Sequence, residues 1–126
     1  MAMVLIVDDE PNIRQLLIEV LEEEGFATLS AANGQIALEM LAAHRVDLVI
    51  TDTMMPFRSG IDLLRAMRGH PKLRAIPAIL TSAGTRPDLN ELGVFVFLSK
   101  PFHLDLLIAE IVAALSADQE PERDPA

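Results

Sequence analysis

The chain has 126 residues, of which 51% are hydrophobic, enough for one domain with a sizeable core and too few for two. It has no cysteine, which excludes a disulfide framework and any thiolate metal site, and its net charge of −9 argues against direct binding to nucleic acid or anionic membrane. The apolar run from Met1 to Val7 stops at Asp8, Asp9 and Glu10. It lacks the basic flank of a signal peptide and falls well short of the roughly 20 apolar residues of a membrane helix. No membrane insertion and a cytoplasmic location are therefore expected.

In chain order, five short apolar runs read as strands: Met3–Val7, Ala27–Ala31, Asp47–Thr51, Ala78–Ser82 and Val94–Leu98. All but the second are nearly continuous rather than alternating, as strands buried on both faces of a parallel sheet are. Between the first two, Ile13, Leu16, Leu17, Val20 and Leu21 recur at helical spacing, with Pro11 near the start and Gly25 just past the end. Ile36, Leu38, Met40 and Leu41 predict a second helix, with Asn33 as its N-cap. Ile61, Leu63, Leu64 and Met67 predict a third, stopped near Gly69 and Pro71. Thr85 to Leu92 contains Pro87 and has room for only a turn or two of helix. Leu104, Leu107, Ile108, Ile111, Val112 and Leu115 predict the last helix. The boundary falls at residue 116: residues 117–126 hold two prolines and no large apolar residue, the composition of a disordered tail or linker stub. Strands alternating with helices imply an α/β fold, with right-handed crossovers and an open parallel sheet covered on both faces.

In such sheets the ligand site lies at the carboxyl ends of the strands. The first strand is followed by Asp8 and Asp9, the third by Asp52; the fourth ends in Thr81 and Ser82, and the fifth leads into Ser99 and Lys100. Taken singly these are ordinary: an Asp pair caps helices, Lys100-Pro101 makes a turn, Ser82 is a strand-end hydroxyl. Their placement on one edge is not ordinary. Three converging carboxylates repel one another unless a hard cation joins them, and Mg²⁺ needs only one or two carboxylates beside water and substrate oxygens. Lys100 adds a second positive charge. Such a site suits a phosphoryl group, whose transfer depends on positioning and charge neutralisation, and a carboxylate can itself be the nucleophile.

With these residues on the page, the chain resembles the receiver domains of two-component response regulators over about residues 3–115. Asp8-Asp9, Asp52-x-x-Met55-Pro56 with Gly60, Ser82-Ala83 and Lys100-Pro101-Phe102 stand in the family's order. The resemblance implies a single-domain (βα)5 doubly wound fold, flavodoxin-like, with five parallel strands in the order 2-1-3-4-5. It implies that Asp52 takes a phosphoryl group from a sensor histidine kinase or a histidine phosphotransfer protein, with Mg²⁺ or Mn²⁺ held by Asp8, Asp9, Asp52 and the backbone carbonyl of Met54. By the same resemblance Ser82 is the switch hydroxyl, Lys100 pairs with a phosphoryl oxygen, and small Ala83 keeps the pocket open. Met54 and Gly84 sit where phosphoaspartate lifetime is tuned, and the Lys100–Pro101 bond is expected to be cis. Ser82 fits the register better than Thr81, which alternation turns away from the site. Phe95 and Phe97 are expected on one face, and Phe97 holds the switch aromatic's distance from Lys100.

Two departures accompany the resemblance. The stretch from Ser82 to Lys100 is a few residues short, which predicts a short or remodelled fourth helix. Arg58 stands where an apolar residue is common. The reading is a signalling switch rather than an enzyme, acting through a downstream protein or a lost output domain. The alternative is a protein-interaction module with the same fold that signals without phosphate. An aspartate-nucleophile phosphatase would want an acid two residues after Asp52, where Met54 stands. His44, His70 and His103 show no ligand spacing.

Overall fold

The five apolar runs become the strands of one sheet in a computed structural model that describes residues 1–116; the predicted tail lies outside the described residues. The strands are β1 (Met3–Val7), β2 (Ala27–Ala31), β3 (Leu48–Asp52), β4 (Ala78–Ser82) and β5 (Val94–Ser99). They are all parallel, in the order β2-β1-β3-β4-β5. Val7 pairs with Ala31 and Thr51, Asp52 with Thr81, and Ser82 with Ser99, so the carboxyl ends align along one edge.

Three boundaries shift by one residue from their predicted places. β3 starts at Leu48; Asp47, just before it, accepts the Met3 amide on Oδ2 (2.8 Å) and donates its own amide to the Met3 carbonyl (2.8 Å). Asp52 becomes the last residue of β3 instead of the residue after it. β5 runs on to Ser99, since the Lys100 amide donates to the Ser82 carbonyl at 2.8 Å and holds the two strand ends together.

Four helices follow: α1 (Pro11–Glu23), α2 (Gly34–Ala43), α3 (Gly60–Arg68) and α4 (Leu104–Ser116). Pro11 opens α1, and Gly25, at φ +95°, lies just past its end. Asn33 caps α2 by accepting the Ile36 amide (2.9 Å), as predicted, and Ser59 caps α3 by accepting the Asp62 amide (3.1 Å).

Strand alternation divides the core. Val4, Ile6, Leu48, Ile50 and Ile79 face Leu17 and Leu21 of α1 and Leu107 and Ile111 of α4. Leu5, Val7, Val49 and Leu80 face Leu41 of α2 and Leu63, Leu64 and Met67 of α3. Each such Leu or Ile taken fully out of water contributes about 1.5–3 kcal/mol before chain entropy is counted.

The predicted short fourth helix is remodelled completely: residues 83–93 contain no helix. Pro87 cannot donate to a helix, and Asp88 accepts the Asn90 amide in a local turn (3.0 Å) that competes with helical bonding. Glu91 and Gly93 take positive φ, +64° and +70°, and a methyl at Gly93 would overlap the Arg68 guanidinium. The segment still closes the sheet, for Leu89 and Leu92 are both buried against the α2–α3 face.

One prediction fails at the start of β5. Ala78 pairs with Val94 but Ile79 with Val96, leaving Phe95 as the extra residue of a bulge. The bulge shifts the alternation, so Phe95 packs on the α1–α4 face and Phe97 on the α2–α3 face, instead of both on one.

Candidate functional site

β1, β3, β4 and β5 deliver their terminal polar groups to the same edge. Asp8 follows β1 and is buried. Its Oδ1 accepts the Glu10 amide (3.0 Å), and its carbonyl accepts Arg14 Nη1 (2.7 Å) from the first turn of α1. The Asp pair therefore does not cap α1: Glu10 is the N-cap residue and makes no side-chain cap bond. Asp9 is exposed at the rim.

Asp52 Oδ1 accepts the Thr53 amide at 2.9 Å, which fixes the carboxylate plane. The chain must fold back sharply here. The Gly60 amide donates to the Thr53 carbonyl (3.1 Å), and a methyl on Gly60 would overlap the Asp52 carbonyl oxygen, so only glycine allows this approach. Between them Met54 and Phe57 project into solvent, 74% and 92% exposed, and Phe57 holds φ at +68°. The Arg58 carbonyl accepts the Gly34 amide (2.9 Å), tying this loop to the start of α2.

Lys100 crosses to the acids. Its Nζ lies 3.1 Å from Asp8 Oδ2 and 3.6 Å from Asp52 Oδ1. The following peptide bond, Lys100–Pro101, is cis, as expected. Ser82 is buried beside them, its Oγ accepting the Gly84 amide at 3.0 Å. Thr81 points elsewhere, its hydroxyl directed at the Thr51 carbonyl (3.5 Å). Phe97 is buried under the β4–β5 connection, with the Arg86 guanidinium 5.9 Å from its ring centre.

The charges at this edge perturb one another. Burial pushes the Asp52 carboxyl up; Lys100 pulls it down, Asp8 pushes it up, the Thr53 N–H pulls it down and Asp9 pushes it up, with a net rise above the ordinary aspartate value. Burial pulls the Lys100 ammonium down, but the hydrogen bond and charge of Asp8, then the charges of Asp52 and Glu10, outweigh it and leave the group above its ordinary value. Asp8, Asp9 and Asp52 set three carboxylates beside the one ammonium of Lys100, a surplus of two negative charges.

That surplus fits a hard divalent ion. One oxygen from each of Asp8, Asp9 and Asp52 lies within 4.8 Å of the others. Mg²⁺ takes oxygen ligands and needs only one or two carboxylates beside water and substrate oxygens, which this trio can supply.

The sequence profile of the response regulator receiver domain matches residues 4–112. This chain belongs to that family. The receiver is 40% identical over 115 residues to the transcriptional regulatory protein CpxR of Escherichia coli, covering 89% of this chain but only 48% of that protein, so it spans about half of that relative's length. It is 40% identical over 106 residues to sporulation initiation phosphotransferase F of Bacillus subtilis, covering 81% of this chain and 84% of that protein. Among solved structures, the response regulator TrrA of Thermotoga maritima, determined in complex with Mg²⁺ and BeF, superimposes with a TM-score of 0.81 at 37% identity, covering 90% of the receiver and 99% of that chain. Among the described residues no helix is long and apolar enough to cross a membrane.

The structure brings Asp8, Asp9, Asp52, Ser82 and Lys100 together, with Gly84 bonded to Ser82. Two contributors had no sequence signal of their own, the Thr53 amide on Asp52 and the Glu10 amide on Asp8, because every non-proline residue carries the same donor. Arg14 was also missed. Its place one turn into α1, after the paired acids, was the available sign.

Proposed function

We propose that Asp52 is the phosphoacceptor of this receiver, taking its phosphoryl group from a histidine kinase or phosphotransfer protein in the cytoplasm and passing the signal to a protein partner or an attached output domain. The observation that carries this reading is Lys100 Nζ spanning Asp8 and Asp52 at 3.1 and 3.6 Å beside a third carboxylate. Asp8, Asp9 and Asp52, with the Met54 carbonyl, would hold Mg²⁺ or Mn²⁺, which when bound neutralises the acids and the negative charge of the transferring group.

The chain's own groups account for the rest. Thr53 anchors Oδ1 of Asp52, leaving Oδ2 to attack phosphorus while the phosphorus–nitrogen bond of the donor breaks. Lys100 moves from Asp8 and Asp52 to the phosphoryl oxygens, trading two carboxylate contacts for the new anion. Ser82 exchanges its bond from the Gly84 amide for one to a phosphoryl oxygen, and Phe97 follows it, carrying the change to the β4–β5 surface. Met54 and Gly84 flank the phosphoryl group and set the access of water to it.

The test is intact mass after incubation with Mg²⁺ and acetyl phosphate. The parent should gain one phosphoryl group and Asp52→Asn none; equal uptake by both would overturn the assignment. Lys100→Ala should still bind Mg²⁺ yet lose most of the conformational response to a phosphoryl analogue, read from amide chemical shifts around Ser82 and Phe97.

A further inference from the structure

The edge of the sheet opposite Asp52 carries the opposite charge. In a chain of net charge −9, residues 63–77 contain Arg65, Arg68, Lys72 and Arg74 and not one Asp or Glu. This run includes the end of α3 and the connection to β4, residues 69–77. Between that connection and the end of α2 lies an open groove of about 470 Å³. Leu41, Leu73 and Ile76 line it, and Arg45 and Lys72 stand at its rim, with Arg74 exposed on the same turn.

The cations at the groove itself, Arg45, Lys72 and Arg74, are poorly compensated. Asp47, the acid lining the groove, lies 3.9 Å from Arg45, whose side chain is 94% exposed, and its other oxygen is committed to the Met3 amide. Among the described residues no ion pair joins Lys72 or Arg74 to an acid. Arg68 donates to the Arg74 carbonyl, and its Nε is buried without a hydrogen-bond partner. Burial and, second to it, the Arg74 charge hold the Arg68 guanidinium below its ordinary pKa.

We propose that this groove docks an acidic, amphipathic segment of a partner protein, its carboxylates meeting Arg45, Lys72 and Arg74 and an apolar side chain resting on Leu41, Leu73 and Ile76. An apolar floor ringed by a few cations is the arrangement of a protein–protein interface with a charged rim. A nucleic acid duplex gains nothing from that floor and is repelled by the rest of the surface. The groove lies away from the phosphoacceptor edge, so its partner leaves Asp52 open to a phosphodonor. The proposal goes beyond the phosphoacceptor reading and does not depend on it.

The experiment titrates the full chain into a fluorescein-labelled peptide of alternating Glu and Leu, followed by anisotropy at low and raised salt. Saturable binding is expected, weakened roughly tenfold by the double variant K72E/R74E and weakened when the peptide's Leu residues are replaced by Ser. A DNA duplex and anionic vesicles should not compete. Unchanged binding by the double variant, equal binding of polyglutamate, or displacement by DNA or vesicles would overturn the proposal. So would a roughly tenfold gain in affinity on neutralising the chain's own acids with D118N/E120Q/E122Q/D124N, which would give the groove to residues 117–126. Phosphoryl uptake by K72E/R74E is measured alongside, so that loss of peptide binding with uptake retained cannot be mistaken for misfolding or for failure of the site at Asp52.

Discussion

The two faces of the sheet are covered in different ways. One is closed by two 13-residue helices, α1 and α4. The other is closed by helices of 10 and 9 residues and by the non-helical residues 83–93, which contribute Leu89 and Leu92. The polar groups at the carboxyl edge are nevertheless in place. Asp52 is positioned by its pairing with Thr81 and by the Thr53 amide, and Lys100 by its backbone bond to the Ser82 carbonyl. The difference teaches that the chemistry of this fold is held by strand register, while the layer over β4 and β5 is free to change. That layer is also the face on which Phe97 packs.

The sharpest test of the comparison is a matched pair of truncations. Leu107→Ala removes a fully buried side chain from a regular helix that cannot close around the hole, and should cost about 2–5 kcal/mol in urea denaturation. Leu89→Ala, made in a segment without helical bonds, should cost less, about 1–2 kcal/mol, because the backbone can settle into the gap. Equal losses would show that residues 83–93 are as rigidly packed as α4.

The smallest effect is a pH dependence at the site shared by both faces. Asp52 has a folded pKa above its unfolded one, so the folded state holds that proton more tightly and the ionised carboxylate opposes folding. The penalty is absent below the ordinary aspartate value and grows as pH rises through the raised one. Without metal, Asp52→Asn should therefore be more stable than the parent at neutral pH, and the gap should close on acidification. Denaturation curves across that range, with and without Mg²⁺, read it; added Mg²⁺ should narrow the neutral-pH gap by stabilising the parent. A variant less stable than the parent at neutral pH without metal would show that the Lys100 contact outweighs burial and the neighbouring acids.

Much of this was legible in the sequence, and for a physical reason. Strands buried on both faces read as continuous apolar runs, and the first polar residue after each run falls at the carboxyl edge, which picked out Asp8, Asp52 and Lys100. The bulge was not legible, because it arises from pairing with Ala78 and Ile79, which nothing near Phe95 encodes. Nor was the burial of Leu89 and Leu92, whose spacing fits a helix as well as the turn that forms. The ends of β3 and β5 moved for the same reason, since each depends on a hydrogen-bond partner distant in the chain.

The bare connection between β4 and β5 also bears on how the chain assembles. Ala78 meets Val94 across a short stretch of chain, whereas Val4 must find Leu48 and Met3 must find Ala27. Closing a loop loses more entropy the longer it is, and distant contacts slow folding. The shortest closure in the sheet is thus the one that joins Ser82 to Lys100, and Asp8 reaches them only once the longest pairing, β1 with β3, has formed. Loop entropy thus favours the hydroxyl and the ammonium as a local unit, to which the pairing of β3 with β4 adds Asp52 and the longest closure adds Asp8.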